Sequence, residues 1–132
     1  MSHVFGLRVY YEDTDLAGIV YYANYLKFIE RGRSEYVRDL GIDQTRLRDE
    51  EGIVFAVRRV EADYLAPALF DDQLQVVTRP VAVTGARIIL DQVVMRGDEL
   101  LFSSRVTLVA LARDGRPARL PEELRRRFAG TG

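Results

Sequence analysis

The residues most able to do chemistry lie close together, in an acidic segment at positions 12–15. Glu12, Asp13 and Asp15 place three carboxylates within four positions, directly before an apolar segment at positions 19–22. A carboxylate can bind a hard cation, act as a general base or attack an activated acyl group. It can also do no more than hydrogen-bond the backbone of an exposed turn. The neighbouring residues are the evidence for choosing among these interpretations.

A calcium-binding loop is excluded by its missing ligands. Asp13, Asp15 and Gly18 match positions 1, 3 and 6 of the EF-hand loop. Position 5, however, is Ala17, and position 12 is Asn24 in place of a bidentate glutamate. A solvated acidic turn stays open as an interpretation, with the two aspartates bonded to the local backbone.

Catalysis is the remaining interpretation, and it depends on the helix that follows the acidic segment. A helix that begins near Asn24 leaves unpaired N–H groups at its amino end, where the helix dipole adds partial positive charge. Each such donor can stabilise an oxyanion by about 3 kcal/mol. The spacing from Asp15 to Tyr22 would place a base or nucleophile beside these amides, in a partly apolar pocket.

This helix is the strongest secondary-structure signal in the chain. Asn24 is placed to cap its amino end, and Gly41 can close its carboxyl end in a left-handed conformation. Its length would be about four to five turns of about 3.6 residues each. Gly32 would let a strand approach the helix backbone closely. The apolar stripe consists of Tyr25, Phe28, Ile29, Gly32, Tyr36, Val37 and Leu40.

Strand-like runs surround this helix and predict an α+β fold. One run precedes it at residues 5–11, and a short helix is predicted at residues 121–128. Pro80 marks an edge or a bulge in its strand. A single long helix among antiparallel strands packs most economically with the sheet curved around it, and we expect a single domain over residues 1–132. The four later runs occupy residues 53–65, 73–83, 86–96 and 100–112.

The composition narrows the function classes. The 19 Lys and Arg residues nearly balance the 20 Asp and Glu residues, for a formal net charge of -1, which disfavours a general nucleic-acid-binding surface. The absence of cysteine excludes disulfides, thiolate metal sites and a cysteine nucleophile. His3 is the only histidine and lies in a terminus expected to be frayed, which disfavours a Ser-His-Asp triad or a histidine-dependent dehydratase.

Other patterns are missing as well. The sequence contains no glycine-rich dinucleotide-binding pattern and no Walker pattern, so nucleotide hydrolysis and hydride chemistry lack support and we expect no cofactor. Since cysteine is absent and the calcium-loop match fails, we also expect no bound metal. No run approaches the roughly 18 apolar residues that a membrane helix needs. We therefore expect a soluble, cytoplasmic protein without an integral membrane segment.

One long segment carries a family resemblance. Residues 9–41, VYYEDTDLAGIVYYANYLKFIERGRSEYVRDLG, closely resemble the N-terminal signature of the hotdog-fold acyl-CoA thioesterases. The likeness is to the 4-hydroxybenzoyl-CoA thioesterase group and its Tol–Pal-associated branch. It is specific because the Asp-x-Asp-x-Ala-Gly-Ile-Val-Tyr pattern, the Asn-Tyr pair and the Arg-x-Glu of the helix occur together in order. The rest of the chain follows in strand order and length.

The resemblance implies both an architecture and a site. The family's curved sheet wraps the long helix, and two subunits pair their sheets edge to edge, with active sites at the interface of a homodimer or of a homotetramer built from dimers. Asp15 matches the catalytic aspartate. Tyr22 matches the position whose backbone N–H polarises the thioester carbonyl. The residues expected to contact the substrate are Gly18, Ile19, Val20, Tyr21 and Arg87.

Two positions depart from the family's pattern. A histidine is common in the Tol–Pal-associated branch where Tyr22 stands here. Relatives often carry several basic residues before the third long strand for the coenzyme A phosphates, whereas this chain has only Arg87 there. The arginines that could substitute are Arg58, Arg59, Arg79, Arg113, Arg116 and Arg119.

The sequence therefore predicts an acyl-CoA thioesterase, which converts water and a short-chain or aromatic acyl-CoA into a carboxylic acid and free coenzyme A. Asp15 would either activate the water as a general base or attack the carbonyl to form a mixed anhydride. The Tyr22 N–H would stabilise the oxyanion. Two alternatives of the same fold remain open: a non-catalytic acyl-CoA binding module, and a thioesterase acting on acyl carrier protein.

Overall fold

Six strands and three α-helices make up the part of the chain that the computed structural model describes, residues 2–130. A short 3-10 turn at Tyr11–Asp13 and a wide helical turn at Leu47–Glu51 join them. The elements are β1 (His3–Arg8), α1 (Asn24–Asp39), α2 (Gln44–Arg46), β2 (Val54–Tyr64), β3 (Gln73–Val83), β4 (Ile88–Arg96), β5 (Glu99–Leu111), β6 (Pro117–Ala118) and α3 (Glu122–Ala129).

The strands form one open antiparallel sheet in the order β1-β3-β4-β5-β2, with β6 paired to the end of β5. Consecutive strands β3, β4 and β5 are neighbours, while β1 and β2 lie at the two edges. The predicted α+β class and the antiparallel sheet around one long helix are confirmed. The bulge predicted at Pro80 is also present, as a register shift between Pro80 and Ala82 against β4.

Helix α1 lies on one face of the sheet, called the inner face below, and packs against β1, β3 and β4. The close approach predicted at Gly32 is confirmed, since a Cβ atom at this position would lie 2.5 Å from Cγ1 of Val76. The helix runs for 16 residues, in agreement with the predicted four to five turns. Its buried stripe and the inner side chains of the strands form one core.

The predicted cap at the start of α1 is wrong. Asn24 is the first residue of the helix, and Ala23 occupies the capping position without a side-chain hydrogen bond. The Asn24 side chain instead donates from Nδ2 to Oδ1 of Asp13, at 2.8 Å. At the other end the prediction holds, because Gly41 takes a left-handed φ of 81° directly after the helix.

The N-terminal predictions also need correction. The first strand ends at Arg8 instead of Tyr11, because the chain turns back at Tyr11–Asp13. His3 is not frayed: it lies within β1, its Nε2 atom is 2.8 Å from Oδ2 of Asp39, and its ring packs against Tyr36. In the connection after α1, Asp43 caps the short helix α2, which the sequence analysis did not predict.

Candidate active site

The loop at residues 14–23 carries both Asp15 and Tyr22 and is braced at its two ends by Asp13. The Asp13 side chain is buried, and its carboxylate accepts hydrogen bonds from the Tyr10 N–H and from Asn24, both at 2.8 Å. The Asp13 carbonyl accepts a further bond from the Tyr21 N–H, also at 2.8 Å. Asp13 therefore holds the start of the loop against the start of α1.

Asp15 lies on a tight turn near the tip of this loop and is exposed in the single chain. Its N–H donates to the Ile19 carbonyl at 2.9 Å, and its carbonyl accepts from the Gly18 N–H at 3.0 Å. One carboxylate oxygen accepts from the Ala17 N–H at 2.9 Å. Gly18 takes a φ of 82°, which glycine adopts without strain. The turn fixes one oxygen of the carboxylate, and the other accepts no hydrogen bond within residues 2–130.

The apolar part of the loop packs against the connection between β2 and β3. Ile19 forms an isolated antiparallel bridge with Leu69, and the Val20 N–H donates to the Ala68 carbonyl at 2.9 Å. The Ala68 N–H in turn donates to the Tyr25 hydroxyl at 3.0 Å. Burial raises the pKa of that hydroxyl. Val20 is one of the residues predicted to contact the substrate, but its side chain is buried in the core of the single chain.

Tyr22 lies just before α1, and only one of its two backbone hydrogen-bonding groups has a partner in the part of the chain described. Within residues 2–130 its N–H donates to no hydrogen-bond acceptor, so it is free to bind a ligand oxygen. Its carbonyl oxygen accepts a hydrogen bond from the Tyr64 hydroxyl at 3.0 Å. Its ring is exposed and packs against Tyr21, with ring centroids 4.9 Å apart. The free amide and the Asp15 carboxylate thus lie on one braced loop.

Tyr64, at the end of β2, is a site residue that the sequence analysis missed. Its ring meets those of Tyr25 and Phe102 edge-on, at centroid distances of 5.5 and 5.1 Å. Burial, together with the neighbouring hydroxyls of Tyr22 and Tyr25, raises the pKa of the Tyr64 hydroxyl. It therefore stays protonated, and a donor, at neutral pH. The one feature of the sequence that could have indicated Tyr64 is its place as an aromatic residue at the end of a predicted strand, just before the break at residues 66–68.

The inner face of the sheet is open beside this site. Residues directly opposite each other in an antiparallel pair share a face, so Val57, Val60 and Tyr64 of β2 point inward with their buried partners on β5. All three are exposed in the single chain, by 46%, 37% and 48%. An apolar surface on an unpaired edge strand is typical of a protein interface.

Arg87 lies far from the loop in the single chain. It belongs to the turn between β3 and β4, whereas the Asp15 loop packs next to the beginning of β3. A strand of 11 residues separates these ends by about 33 Å at roughly 3.3 Å per residue. One chain therefore does not bring Arg87 and Asp15 together.

Two more arginines lie at the Arg87 end. Arg58 and Arg119 line a mostly apolar groove of about 650 Å³, together with Ala86, which precedes Arg87. Within the part of the chain described, none of these three guanidinium groups forms an ion pair with a carboxylate. We call Arg58, Arg87 and Arg119 the basic end of the molecule.

Within residues 2–130 there is no group of three or more His, Cys, Asp or Glu side chains arranged to hold a metal ion. None of the helices in this part of the chain is long and apolar enough to cross a membrane.

Comparison with known proteins assigns the family. Residues 9–128 match the model of the thioesterase-like superfamily. The chain belongs to this superfamily. It is 41% identical over 126 residues to the acyl-CoA thioesterase YbgC of Haemophilus influenzae, covering 94% of this chain and 92% of that protein.

Solved structures of thioesterases share the fold. A probable thioesterase from Bartonella henselae superimposes with a TM-score of 0.88 at 40% identity, covering 92% of this chain and 100% of that one. A gentisyl-coenzyme A thioesterase superimposes with a TM-score of 0.84 at 28% identity, covering 96% and 98%. The family resemblance noted in the sequence and the hotdog fold it implied are thereby confirmed.

Proposed function

We propose that this superfamily member is an acyl-CoA thioesterase that hydrolyses a short-chain or aromatic acyl-CoA to the free acid and coenzyme A. The observation that carries the proposal is the pairing of an exposed carboxylate, Asp15, with an unoccupied amide, that of Tyr22, on one braced loop. The names of its relatives support acyl-CoA hydrolysis, and one structural relative is named for an aromatic acyl group.

In the proposed reaction the thioester carbonyl oxygen accepts a hydrogen bond from the Tyr22 N–H. Asp15 either removes a proton from the attacking water or attacks the carbonyl carbon itself. The amide and the amino end of α1 stabilise the negative charge on the tetrahedral oxygen. The carbon–sulfur bond then breaks, and coenzyme A leaves as a thiolate that takes up a proton. In the second route, water hydrolyses the resulting anhydride.

A second copy of the chain would complete the site by pairing along β2. A strand that pairs with its own copy across a twofold axis must run antiparallel to it. The Val54 end of one β2 then lies beside the Tyr64 end of the other, and the exposed Val57 and Val60 become covered. The pocket around Gly18, Ile19 and Tyr21 would close only in this homodimer, or in a homotetramer built from it.

The same pairing accounts for the remote position of Arg87. The turn that carries Arg87 lies level with the Val54 half of β2, because Ile88 pairs with Leu108 of β5 and Leu108 pairs with Val57. Antiparallel pairing would therefore carry the partner's basic end toward the Tyr64 half of this chain. The phosphates of coenzyme A, which extend away from the thioester, would there meet Arg87 of the partner subunit. Guanidinium groups without carboxylate partners are suited to bind phosphate. A substrate that carries coenzyme A is also in keeping with a cytoplasmic protein.

Thiol release from a panel of short, medium, long and aromatic acyl-CoA substrates tests the proposal. We expect Asp15→Asn to lower kcat by at least about a hundredfold, because the amide can neither activate water nor form an anhydride. The oligomer should stay intact by light scattering. The matched control is Glu12→Gln, in the turn at Tyr11–Asp13 just before this loop, which should keep wild-type rates.

Three outcomes would contradict the proposal. Near-normal turnover by Asp15→Asn would remove this residue from the mechanism. Binding of acyl-CoA without thiol release would favour a non-catalytic binding module. Release only from acylated acyl carrier protein would favour the other alternative. In an active enzyme, single turnover in oxygen-18 water would distinguish the two routes, because only the anhydride route can place solvent oxygen in the Asp15 carboxylate.

Mixed dimers test the position of the basic end. We expect Arg87→Gln to raise KM for acyl-CoA by about fivefold and to leave kcat unchanged, since it would remove one phosphate contact. Mixed with Asp15→Asn subunits, Arg87→Gln subunits should regain sites with the wild-type KM, because Asp15 and Arg87 would come from different chains. Persistence of the raised KM in the mixture would indicate that Arg87 acts within its own chain, or not at all.

A further inference from the structure

One side-chain hydroxyl joins the edge strand β2 to the proposed oxyanion site. The Tyr64 O–H donates to the Tyr22 carbonyl oxygen at 3.0 Å, across 42 residues of sequence. Tyr22 lies outside the regular part of α1, in the turn at residues 22–23. The helix therefore does not fix the orientation of this peptide, and the hydroxyl supplies a restraint that the local structure lacks.

The donor is itself held in place. Although Tyr64 is half exposed, its ring packs edge-on against Phe102 and Tyr25, which are fully or almost fully buried. Both neighbours belong to the core that joins α1 to the sheet. The Tyr64 hydroxyl can therefore act as a fixed point for the turn beside it, which lies outside the regular helix.

The carbonyl that Tyr64 holds and the N–H that would bind the thioester oxygen belong to the same residue. The peptide plane that contains this carbonyl also contains the Ala23 N–H, and only the two rotatable backbone bonds of Tyr22 separate it from the Tyr22 N–H. Holding this plane therefore restrains the Tyr22 N–H through the φ and ψ of a single residue. An oxyanion donor stabilises the transition state only when its direction is set in advance. A misdirected amide would slow the chemical step without changing the pocket that holds the substrate.

We propose that Tyr64 is a positioning residue for thioester hydrolysis, whose hydroxyl holds the Tyr22 backbone so that its amide faces the oxyanion. The inference rests on the proposed function. It also links the site to the edge strand at which a second copy is proposed to pair.

The experiment compares Tyr64→Phe with Tyr11→Phe, both of which remove only a hydroxyl. Tyr11 is exposed, its ring stacks on Phe70, and its hydroxyl makes no hydrogen bond within residues 2–130. We expect Tyr64→Phe to lower kcat by roughly three- to tenfold, the effect of one hydrogen bond, with KM changed by less than about twofold. Tyr11→Phe should match the wild type. Light scattering and thermal unfolding check assembly and folding.

A second measurement does not depend on turnover. In ¹H–¹⁵N spectra the amide signals of Tyr22 and Ala23 should shift in Tyr64→Phe and stay in place in Tyr11→Phe. Unchanged signals would overturn the proposal, because the hydroxyl would then not hold this backbone.

The kinetic outcomes separate the positioning role from the function itself. If Asp15→Asn is inactive and Tyr64→Phe keeps the wild-type kcat, the proposal for Tyr64 is wrong and the proposed function stands. A raised KM with unchanged kcat would also overturn it, because Tyr64 would then be a substrate contact. If the wild type releases thiol from no thioester, the proposed function fails, and the positioning role in hydrolysis fails with it.

Discussion

The two halves of the inner face of the sheet differ in what covers them. Over β1, β3 and β4 the helix α1 lies close, and Leu74, Val76 and Leu90 are fully buried. Over β2, within residues 2–130, Val57 and Val60 remain exposed by 46% and 37%, although they are equally apolar. We call these the closed half and the open half.

The closed half is also tied together by polar contacts. The side chain of Gln92, fully buried on β4, donates to the Ile29 carbonyl and to Thr78, both at 2.9 Å, and accepts from Arg33 at 2.9 Å. Burial lowers the pKa of the Arg33 guanidinium. These bonds fix the helix along the sheet, so the closed half is held together within one chain.

The open half borders the edge that is better suited to association. β2 has 11 residues and presents apolar side chains on its inner face, whereas the opposite edge, β1, has only six residues. Natural proteins keep edge strands short or charged when they are meant to stay unpaired. The difference between the halves supports the proposal that the open half serves assembly and the proposed site.

The largest expected effect comes from placing a charge on the open half. Val60→Glu should split the proposed dimer and lower kcat/KM by on the order of a hundredfold, since a carboxylate in an apolar joint costs several kcal/mol. The fold should persist, because Val60 is already exposed in the single chain. Analytical ultracentrifugation and thiol release measure the two effects.

The matched control is Val4→Glu on the other edge strand. Val4 is 59% exposed on β1, so the same charge should leave both assembly and activity unchanged. A Val60→Glu monomer with full activity would contradict the role of the open half.

In the closed half, Gly32→Ala should destabilise the protein. Helix propensity favours alanine by about 1 kcal/mol, but the new Cβ atom would lie 2.5 Å from Val76. We expect the clash to dominate and the free energy of unfolding to fall by about 2 kcal/mol, as measured by urea denaturation. Val76→Ala removes the Cγ1 atom that the new Cβ atom would meet. The double variant Gly32→Ala/Val76→Ala should therefore recover part of the free energy of unfolding that the clash costs the single variant. A Gly32→Ala protein more stable than the wild type would show that the strand yields easily.

The closed half is also the part that the sequence predicted well. The strand runs at residues 73–83 and 86–96 lie within about two residues of the observed β3 and β4, because turns interrupt a clear apolar pattern. The role of Gly32 followed from its place in the helix stripe. Such features depend on local periodicity, which one sequence contains.

Features that depend on distant pairings could not be predicted in the same way. Asn24 was expected to cap the helix through the local backbone, but Asp13 competes for its side chain. Tyr64 reaches Tyr22 only after β2 has crossed to the far edge of the sheet. Arg87, taken from the family resemblance, lies at the opposite end of the chain's own sheet from Asp15. None of these positions follows from spacing along the chain.

The buried Asp13 and the exposed Asp15 show the same contrast at the level of single residues. Asp13→Ala would leave the Tyr10 N–H and the Asn24 amide without their acceptor, and the free energy of unfolding should fall by about 1.5 kcal/mol. Asp15→Ala removes an exposed side chain and should change stability by less than about 0.5 kcal/mol. Thermal unfolding of the two variants side by side checks the difference. Equal losses would mean that the acidic segment acts as one structural unit.

The smallest effect is expected on the outer face of the sheet, which is the face opposite to α1. Arg105 and Arg79 donate to the Asp91 carboxylate at 2.8 and 3.0 Å. The hydrogen bond from Arg105, opposed by partial burial and aided by Arg79, holds the pKa of Asp91 below its usual range. A lowered pKa in the folded state stabilises the protein above the unfolded value, near pH 4, and this contribution is lost as the pH falls through the folded value.

Asp91→Asn should therefore lower the urea midpoint at neutral pH by only about 0.3 M, since both arginines are more than half exposed. The difference from the wild type should shrink as the pH falls below about 4, and thiol release should not change. Asp98→Asn, in the exposed turn after β4, is the control for removing a carboxylate that makes no ion pair within residues 2–130. A deficit that persists in acid would mean that Asp91 acts through packing. A loss of activity would mean that the outer face also contributes to the proposed site.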